Sequence, residues 1–306
     1  MKSTKFGLLI PAICGLGLAG CFSADSIQNR TRPASTATPM ASASPAASSP
    51  TVPMTDRSPN QKTGFAANLP AGFTLPNDDV GKRILREYGS MLVAKGVTAP
   101  PKLVFQDEAD VAAFHGSVSA SSETFGGIGV TLQSAALEAF KAAVAKGRTE
   151  AISIGPRNAD SSKRTYGQTV DNWKSRVDPG LKHWVSKGRL TQAEADRIAG
   201  LSPAAQIPEI LRLEDQGIFF AQDLSKTIMY SVAPPGTSQH ISLLAIDIEQ
   251  HADARARSIM AEHGWYQTIP SDMPHFTFLG VRESELPGLG LKKVQSGGRD
   301  FWIPEL

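Results

Sequence analysis

The sequence predicts an α+β fold, in which helices come first and strands cluster near the carboxyl end. Apolar residues recur every three or four positions in 78–95 and 133–145, which is the spacing of amphipathic helices. Strand-like runs are concentrated after residue 226. We therefore expect a small antiparallel sheet flanked by helices, with a helical elaboration at residues 171–215.

The predicted helices, in chain order, are 78–95, 108–114, 133–145, 165–187, one from 191, 203–215 and 249–263. Asp178-Pro179-Gly180 should interrupt the fourth of these, because proline and glycine disfavour a helix interior. Thr191 to Glu194 has the spacing of a capping box. The predicted strands are 102–105, 128–132 after a break at Gly126-Gly127, 151–154, 227–232, 244–248, 264–269 and 275–279.

Residues 1–20 have the organisation of a cleavable export signal. Lys2 and Lys5 precede an uncharged apolar run that ends at Gly20 and is too short to span a bilayer. The run ends in Leu18-Ala19-Gly20-Cys21, which resembles the lipobox of bacterial lipoproteins. The resemblance implies cleavage before Cys21 and a lipid anchor on that cysteine, in the cell envelope. The alternative is a plain secretory signal with a chance cysteine.

Phe22 follows the lipidated cysteine where a sorting signal would carry aspartate, so the resemblance implies the outer membrane, facing the periplasm, if the host is Gram-negative. Cys14 leaves with the signal and Cys21 is acylated, so no thiol remains for a disulfide. Removing the 2 lysines of residues 1–20 from 31 basic residues leaves 29, against 29 acidic ones. This balance, without a basic run, gives no reason to expect nucleic acid as a partner.

Residues 21–75 are predicted to form a tether, and residues 76–306 a single domain. The tether is rich in Ser, Ala, Thr and Pro and lacks the apolar residues that folding requires. Some 40 residues of such a chain reach roughly 35 Å, which would let an anchored domain leave the membrane surface and touch peptidoglycan. A spacer with no target fits the same composition.

Two histidines and two aspartates after residue 236 suggest a metal centre. His240, Asp247 and His275 are the ligand types of a catalytic zinc site, and Asp272 is a candidate base. Seven residues of extended strand would separate His240 from Asp247 by roughly 23 Å, so the chain must turn between them. The alternative is a pair of core histidines and a strand-end aspartate with ordinary hydrogen bonds.

Ser238-x-His240-x-x-x-x-Ala245-x-Asp247, with Asp272 three residues before His275, resembles the D-Ala-D-Ala carboxypeptidases of the VanY type and the related L-alanyl-D-glutamate endopeptidases. The likeness spans about residues 132–280. It implies that His240, Asp247 and His275 hold Zn²⁺ and that Asp272 is the general base. The resemblance also implies that Arg157 contacts the developing oxyanion or a substrate carboxylate, and that Ser238 supports the loop that carries His240. Gln168 would match a polar residue that follows the arginine in the family pattern.

The chain departs from the family pattern at three places. Leu243 stands where the pattern has glycine, which predicts that the turn needs no positive φ there. Met273-Pro274 replaces the usual Pro-Trp before the histidine, and Arg157 follows proline rather than tyrosine. The resemblance implies a zinc D,D-carboxypeptidase acting on peptidoglycan stem peptides. The alternatives are an endopeptidase of the same family, a non-catalytic lipoprotein that binds peptidoglycan, and a zinc-carrying protein without hydrolysis.

Overall fold

A computed structural model of the protein describes residues 64 to 306. The predicted signal of residues 1–20, the lipidated Cys21 and the tether as far as residue 63 lie outside the described residues. None of the helices in the described region is long and apolar enough to cross a membrane.

The described residues form helices and small antiparallel sheets, which confirms the predicted α+β class. The helices are α1 Phe65–Asn68, α2 Asp79–Tyr88, α3 Glu108–Ser117, α4 Ser134–Thr149, α5 Tyr166–Ser186, α6 Gln192–Ala199, α7 Pro203–Glu214 and α8 Ala254–Glu262. The strands are β1 Ala120–Phe125, β2 Ile128–Gln133, β3 Ala245–Asp247, β4 Trp265–Tyr266, β5 His275–Phe278, β6 Leu291–Ser296 and β7 Arg299–Pro304. They pair as β1-β2, as β3-β5-β4 and as β6-β7.

Helix α1 belongs to the packed region, although it precedes the domain start predicted at residue 76. Phe65 is buried in the core, and the Asn68 side-chain amide donates to the carbonyl oxygen of Gly288 at 3.1 Å. Gly290 has φ 75°, and a Cβ there would lie 1.8 Å from the backbone nitrogen of Phe65. Only glycine permits this approach, so the packing of α1 is built into the sequence around residue 290.

Two glycines close the hairpin between β1 and β2. Gly126 and Gly127 have φ 58° and 86°, and Phe125 pairs with Ile128 across them. A two-residue loop with positive φ at both positions matches the right-handed twist of its strands, which is why glycines stand there. The break predicted at these glycines is confirmed, and β1 is the strand that precedes it.

The core joins α4 to the central sheet through aromatic side chains. Phe140 of α4 lies edge-on to Trp265 of β4 at 6.1 Å, and Trp265 lies 5.2 Å from Phe278 of β5. All three side chains are almost fully buried, and each buried ring contributes roughly 2–3 kcal/mol through apolar area removed from water. This packing fixes the position of β5, which carries His275.

The predicted interruption of the fourth helix is wrong, because α5 runs unbroken through Pro179. Val177 and Leu181 on either side of the proline are buried, and tertiary packing outweighs the local cost of proline and glycine. Gly180 is required for another reason, since a Cβ there would lie 2.5 Å from the ring of Phe220.

Three predicted strands are absent from the described residues, and β1, β6 and β7 are not among the predicted strands. Residues 102–105 and 151–154 are bends and turns, while 227–232 contains a 3-10 turn, Ile228–Tyr230. The buried carboxylate of Glu214 organises that turn by accepting from the backbone nitrogen of Ile228 at 2.6 Å and the hydroxyl of Thr227 at 2.6 Å. Strands β6 and β7 form a hairpin whose outer positions are polar.

Candidate metal centre

The pairing of β3 with β5 brings two predicted ligands together. Asp247 is the direct cross-strand partner of His275, although 28 residues separate them in the chain. Directly opposed residues of an antiparallel pair have Cβ atoms about 5 Å apart, so both side chains reach the same point on the sheet face. Asp247 Oδ1 lies 3.2 Å from His275 Nδ1.

A left-handed turn returns the third predicted ligand to the same point. His240 lies in a 3-10 turn, Gln239–Ser242, that ends at Leu243 with φ 60° and ψ 26°. His240 Nε2 consequently lies 3.4 Å from Asp247 Oδ1. The sequence prediction that the chain turns between these residues is confirmed, but the prediction that Leu243 needs no positive φ is wrong. Leucine keeps the conformation that glycine would adopt more easily, at a cost of about 1–2 kcal/mol.

The three side chains form a buried donor set that fits a metal ion. One donor atom from each of His240, Asp247 and His275 lies within 4.8 Å of the others. Ligand atoms of a tetrahedral zinc site, with bonds near 2.0–2.1 Å, are about 3.3 Å apart. The two aspartate-to-imidazole distances, 3.2 and 3.4 Å, match that spacing. The side chains of both histidines are 2–3% exposed and that of Asp247 is 19% exposed.

The nitrogen of each imidazole that faces away from Asp247 has an acceptor of its own. His240 Nδ1 donates to the carbonyl oxygen of Ser162 at 2.8 Å, and His275 Nε2 donates to Gln239 Oε1 at 2.9 Å. The Gln239 side-chain amide nitrogen donates to the carbonyl oxygen of Tyr88 at 3.0 Å, which sets the orientation of this glutamine. These bonds direct His240 Nε2 and His275 Nδ1 toward Asp247 and toward one common point, the arrangement that orients metal-binding histidines.

The protonation states of the site also favour a cation. Burial lowers the pKa of His240. Burial by itself would raise the pKa of Asp247, but the interaction with His240 and hydrogen bonds with both imidazoles bring it far below its ordinary value. Asp247 is therefore an anion at neutral pH, beside an imidazole that burial favours in its neutral, metal-binding form.

Asp272 lies in the wall of a cavity of about 330 Å³ that also contains His240 and His275. The carbonyl oxygen of Asp272 accepts from the backbone nitrogen of His275 at 3.2 Å, so a tight turn joins the two residues. The pKa of Asp272 is raised, chiefly because the protein atoms of the cavity wall reduce its hydration, although the residue keeps exposed surface; His275 lowers this pKa, and the charge of Asp247 raises it further. The net shift is upward, so the predicted base is brought to the site as a carboxylate with increased proton affinity.

The structure places the predicted Arg157 differently from the resemblance. Its side chain is 52% exposed, and its guanidinium lies 4.0 Å from a carboxylate oxygen of Glu249. The backbone nitrogen of Arg157 donates to the carbonyl oxygen of Asp247 at 3.0 Å, so this residue supports the metal centre through its main chain. Two other arginines, Arg164 and Arg176, line the cavity, and neither was among the residues singled out from the sequence.

Arg164 Nη1 donates to the hydroxyl of Ser238 at 3.3 Å, and Ser238 is buried beside His240. Ser238 therefore joins the His240 turn to the cavity arginine, in keeping with its predicted supporting role. Gln168 is exposed, and its side chain accepts from the backbone nitrogen of Thr165 in the capping box of α5. The resemblance places a polar residue after the arginine, and Gln168 follows Arg164 by only four residues. This spacing is the sequence signal that could have identified Arg164.

No family model matches the sequence, and no curated protein matches it. Among solved structures, the chain is similar to a crystal structure of a point mutant of VanY, a vancomycin-resistance D,D-pentapeptidase from a VanB-type resistance cassette, in complex with Zn(II). The TM-score is 0.31 and the identity 16%, over 53% of this chain and 79% of that chain. A likeness of this size does not establish a family, and the geometry of the donor set stands independently of it.

We expect a fragment that begins at Gly64 to bind about one zinc per chain, and the His275→Ala variant to bind little. The substitution removes one of three ligands from a buried site, and the remaining two cannot complete a tetrahedral set. Metal analysis after dialysis against zinc and gel filtration measures the stoichiometry. His263→Ala is the matched control, because within residues 64 to 306 the imidazole of His263 bonds only to the helix carbonyl of Ile259. Equal zinc in the parent and the His275→Ala variant would exclude His275 as a ligand.

Proposed function

We propose that the protein is a zinc-dependent D,D-carboxypeptidase that hydrolyses peptidoglycan stem peptides in the cell envelope. The observation that carries this proposal is the convergence of His240 Nε2, Asp247 Oδ1 and His275 Nδ1 beside a cavity that contains a further carboxylate, Asp272. Three protein ligands with an adjacent base are the composition of a hydrolytic zinc site rather than a structural one, which is usually closed by four ligands.

His240, Asp247 and His275 would hold the ion. When bound, Zn²⁺ supplies Lewis-acid chemistry, lowering the pKa of water and polarising a carbonyl oxygen. The protein contributes two imidazoles whose outer nitrogens are held by Ser162 and Gln239, and one carboxylate held by its strand. This rigid set is prepared before the ion arrives, since all of these partners are buried or on regular structure.

Asp272 would act as general base and then as general acid. Its raised proton affinity suits a group that takes a proton from the attacking water and delivers the proton to the leaving amine. The turn that joins Asp272 to His275 keeps the base next to a ligand throughout.

Arg164 would hold the terminal carboxylate of the substrate. A guanidinium pairs with a carboxylate through two parallel hydrogen bonds, and the Ser238 hydroxyl orients this guanidinium in the cavity. Recognition of a free carboxyl end is what separates a carboxypeptidase from an endopeptidase. Release of free D-alanine alone from muropeptides would support the carboxypeptidase, whereas larger fragments would indicate the endopeptidase alternative.

The envelope location is part of the proposal and is supported by the sequence of residues 1–21. A lipid anchor and a tether of roughly 35 Å would place the domain beside peptidoglycan. The non-catalytic alternative is weakened by the turn at Leu243. That alternative is motivated by the loss of the usual glycine at Leu243 and of the aromatic residue before His275. Leu243 nevertheless adopts the left-handed conformation, and the three donor side chains meet.

Replacing Asp272 by Ala should leave zinc bound and reduce hydrolysis of a peptide ending in D-Ala-D-Ala by about 10²–10⁴-fold, the usual contribution of a general base. Zinc content and release of D-alanine are measured on the same preparation. Ser271→Ala, at the neighbouring position in the cavity wall, is the control and should keep its activity. Full activity in Asp272→Ala would remove this residue from the mechanism.

Arg164→Ala and Arg157→Ala should behave differently. Loss of the cavity guanidinium should raise KM at least tenfold, because a charge-assisted hydrogen bond to a carboxylate contributes roughly 1.5–3 kcal/mol. Loss of the half-exposed Arg157 side chain should change KM by less than about twofold, because its backbone contact with Asp247 remains. A larger increase in KM for Arg157→Ala than for Arg164→Ala would instead assign the substrate contact to Arg157.

A further inference from the structure

Helix α5 forms part of the cavity wall. Thr169, Asn172 and Arg176 of α5 all line the cavity that contains His240 and Asp272. Their spacing of three and four residues places them on one stripe of the helix, so this stripe faces the cavity. The cavity is also lined by Tyr230, the last residue of the turn organised by Glu214, and by Ser231, which follows that turn.

Arg176 is a partly buried cation without an acidic partner among residues 64 to 306. Its Nε donates to the Ser231 hydroxyl at 2.7 Å, and its Nη1 lies 3.0 Å from the hydroxyl and 3.4 Å from the carbonyl oxygen of Ser175. By contrast, Arg255 forms ion pairs with both Glu150 and Glu262. A guanidinium held in place by neutral hydroxyls in a cavity wall still has donors and a charge available for an anion.

The helix sets how far this cation lies from the loop that leads to His240. The Thr169 hydroxyl accepts from the backbone nitrogen of Gly236, at the start of the loop that leads to His240. With a rise of 1.5 Å per residue, Arg176 stands about 10 Å farther along α5 than Thr169. An extended peptide covers about 10 Å in three residues. For a substrate whose scissile bond lies level with the loop that leads to His240, an anion at Arg176 would belong to a side chain two or three residues away.

We propose that Arg176 binds a second substrate carboxylate, on a side chain two or three residues before the scissile bond. The inference rests on the proposed function and deepens it, because it selects peptides that carry two carboxylates over peptides that carry only the terminal one. Arg164 and Arg176 then divide the recognition of the terminal and the internal carboxylate. Helix α5 would then supply the part of the site that binds the internal carboxylate.

The test uses the full-length protein carrying Asp272→Ala, to prevent turnover, with and without Arg176→Gln. The probes are two pairs of peptides, acetyl-X-Lys-D-Ala-D-Ala and acetyl-Ala-X-D-Ala-D-Ala, in which X is Glu or Gln. Calorimetry should show that the protein with Arg176 binds the Glu peptide about 10- to 100-fold more tightly at one of the two positions. Arg176→Gln should abolish this preference and leave the affinity for the Gln peptide and the zinc content unchanged.

Two further variants separate binding from structure. Ser231→Ala removes the neutral partner of Arg176 but keeps the cation, so the preference for Glu should persist. Arg176→Lys should keep part of it, because the charge remains without the bidentate geometry. Equal weakening of both peptides by Arg176→Gln would show a structural role and overturn the proposal.

Two more results would also overturn it. One is the absence of any preference at either position in the protein with Arg176. The other is an Arg176→Gln effect that disappears when the terminal carboxylate is blocked as an amide, which would assign the terminal carboxylate to Arg176. Failure of the proposed function is a separate result, because the parent protein would then release no D-alanine from any peptide while the calorimetric preference could still be measured.

Discussion

The antiparallel pairing of β3 with β5 is the constraint on which the site depends. It sets Asp247 opposite His275, and the left-handed turn at Leu243 then brings His240 back to the same carboxylate. A shift of one residue in this register would turn one of the two side chains to the other face of the sheet and break the donor set. The aromatic packing of α4 against β4 and β5 stabilises this register. Helix α4 therefore affects the geometry of the donor set through its contacts in the core.

Parts of the chain far from the ligands fix the direction of the two imidazoles. Ser162 follows the loop that pairs with the end of β3, and Gln239 is anchored on the last residue of α2 through the Tyr88 carbonyl oxygen. Outer-shell bonds of this kind select one ring nitrogen of each histidine for the metal. Helix α5 likewise positions charged groups at the cavity. It begins after Arg164 and carries Arg176, and both arginines line the cavity.

The fold class and the meeting of the three candidate ligands could be predicted from the sequence, because both follow from local spacing and residue type. His240, Asp247 and His275 meet as expected, and the amphipathic helices around Leu85 and Phe140 form where their periodicity indicates. The errors arose where tertiary contacts outweigh local preference. Packing carries α5 through Pro179, Glu214 folds residues 227–232 into a tight turn, and Leu243 adopts a glycine-like conformation. Arg164 was missed because its role depends on which way a loop directs its side chain.

The most direct test of the central claim is a zinc-loaded crystal structure with anomalous scattering recorded at the zinc absorption edge. The account predicts one strong peak within about 2.0–2.2 Å of His240 Nε2, an Asp247 carboxylate oxygen and His275 Nδ1, with the outer nitrogens still bonded to Ser162 and Gln239. A peak bound through other residues, or crystals at saturating zinc without a peak among these three, would contradict it.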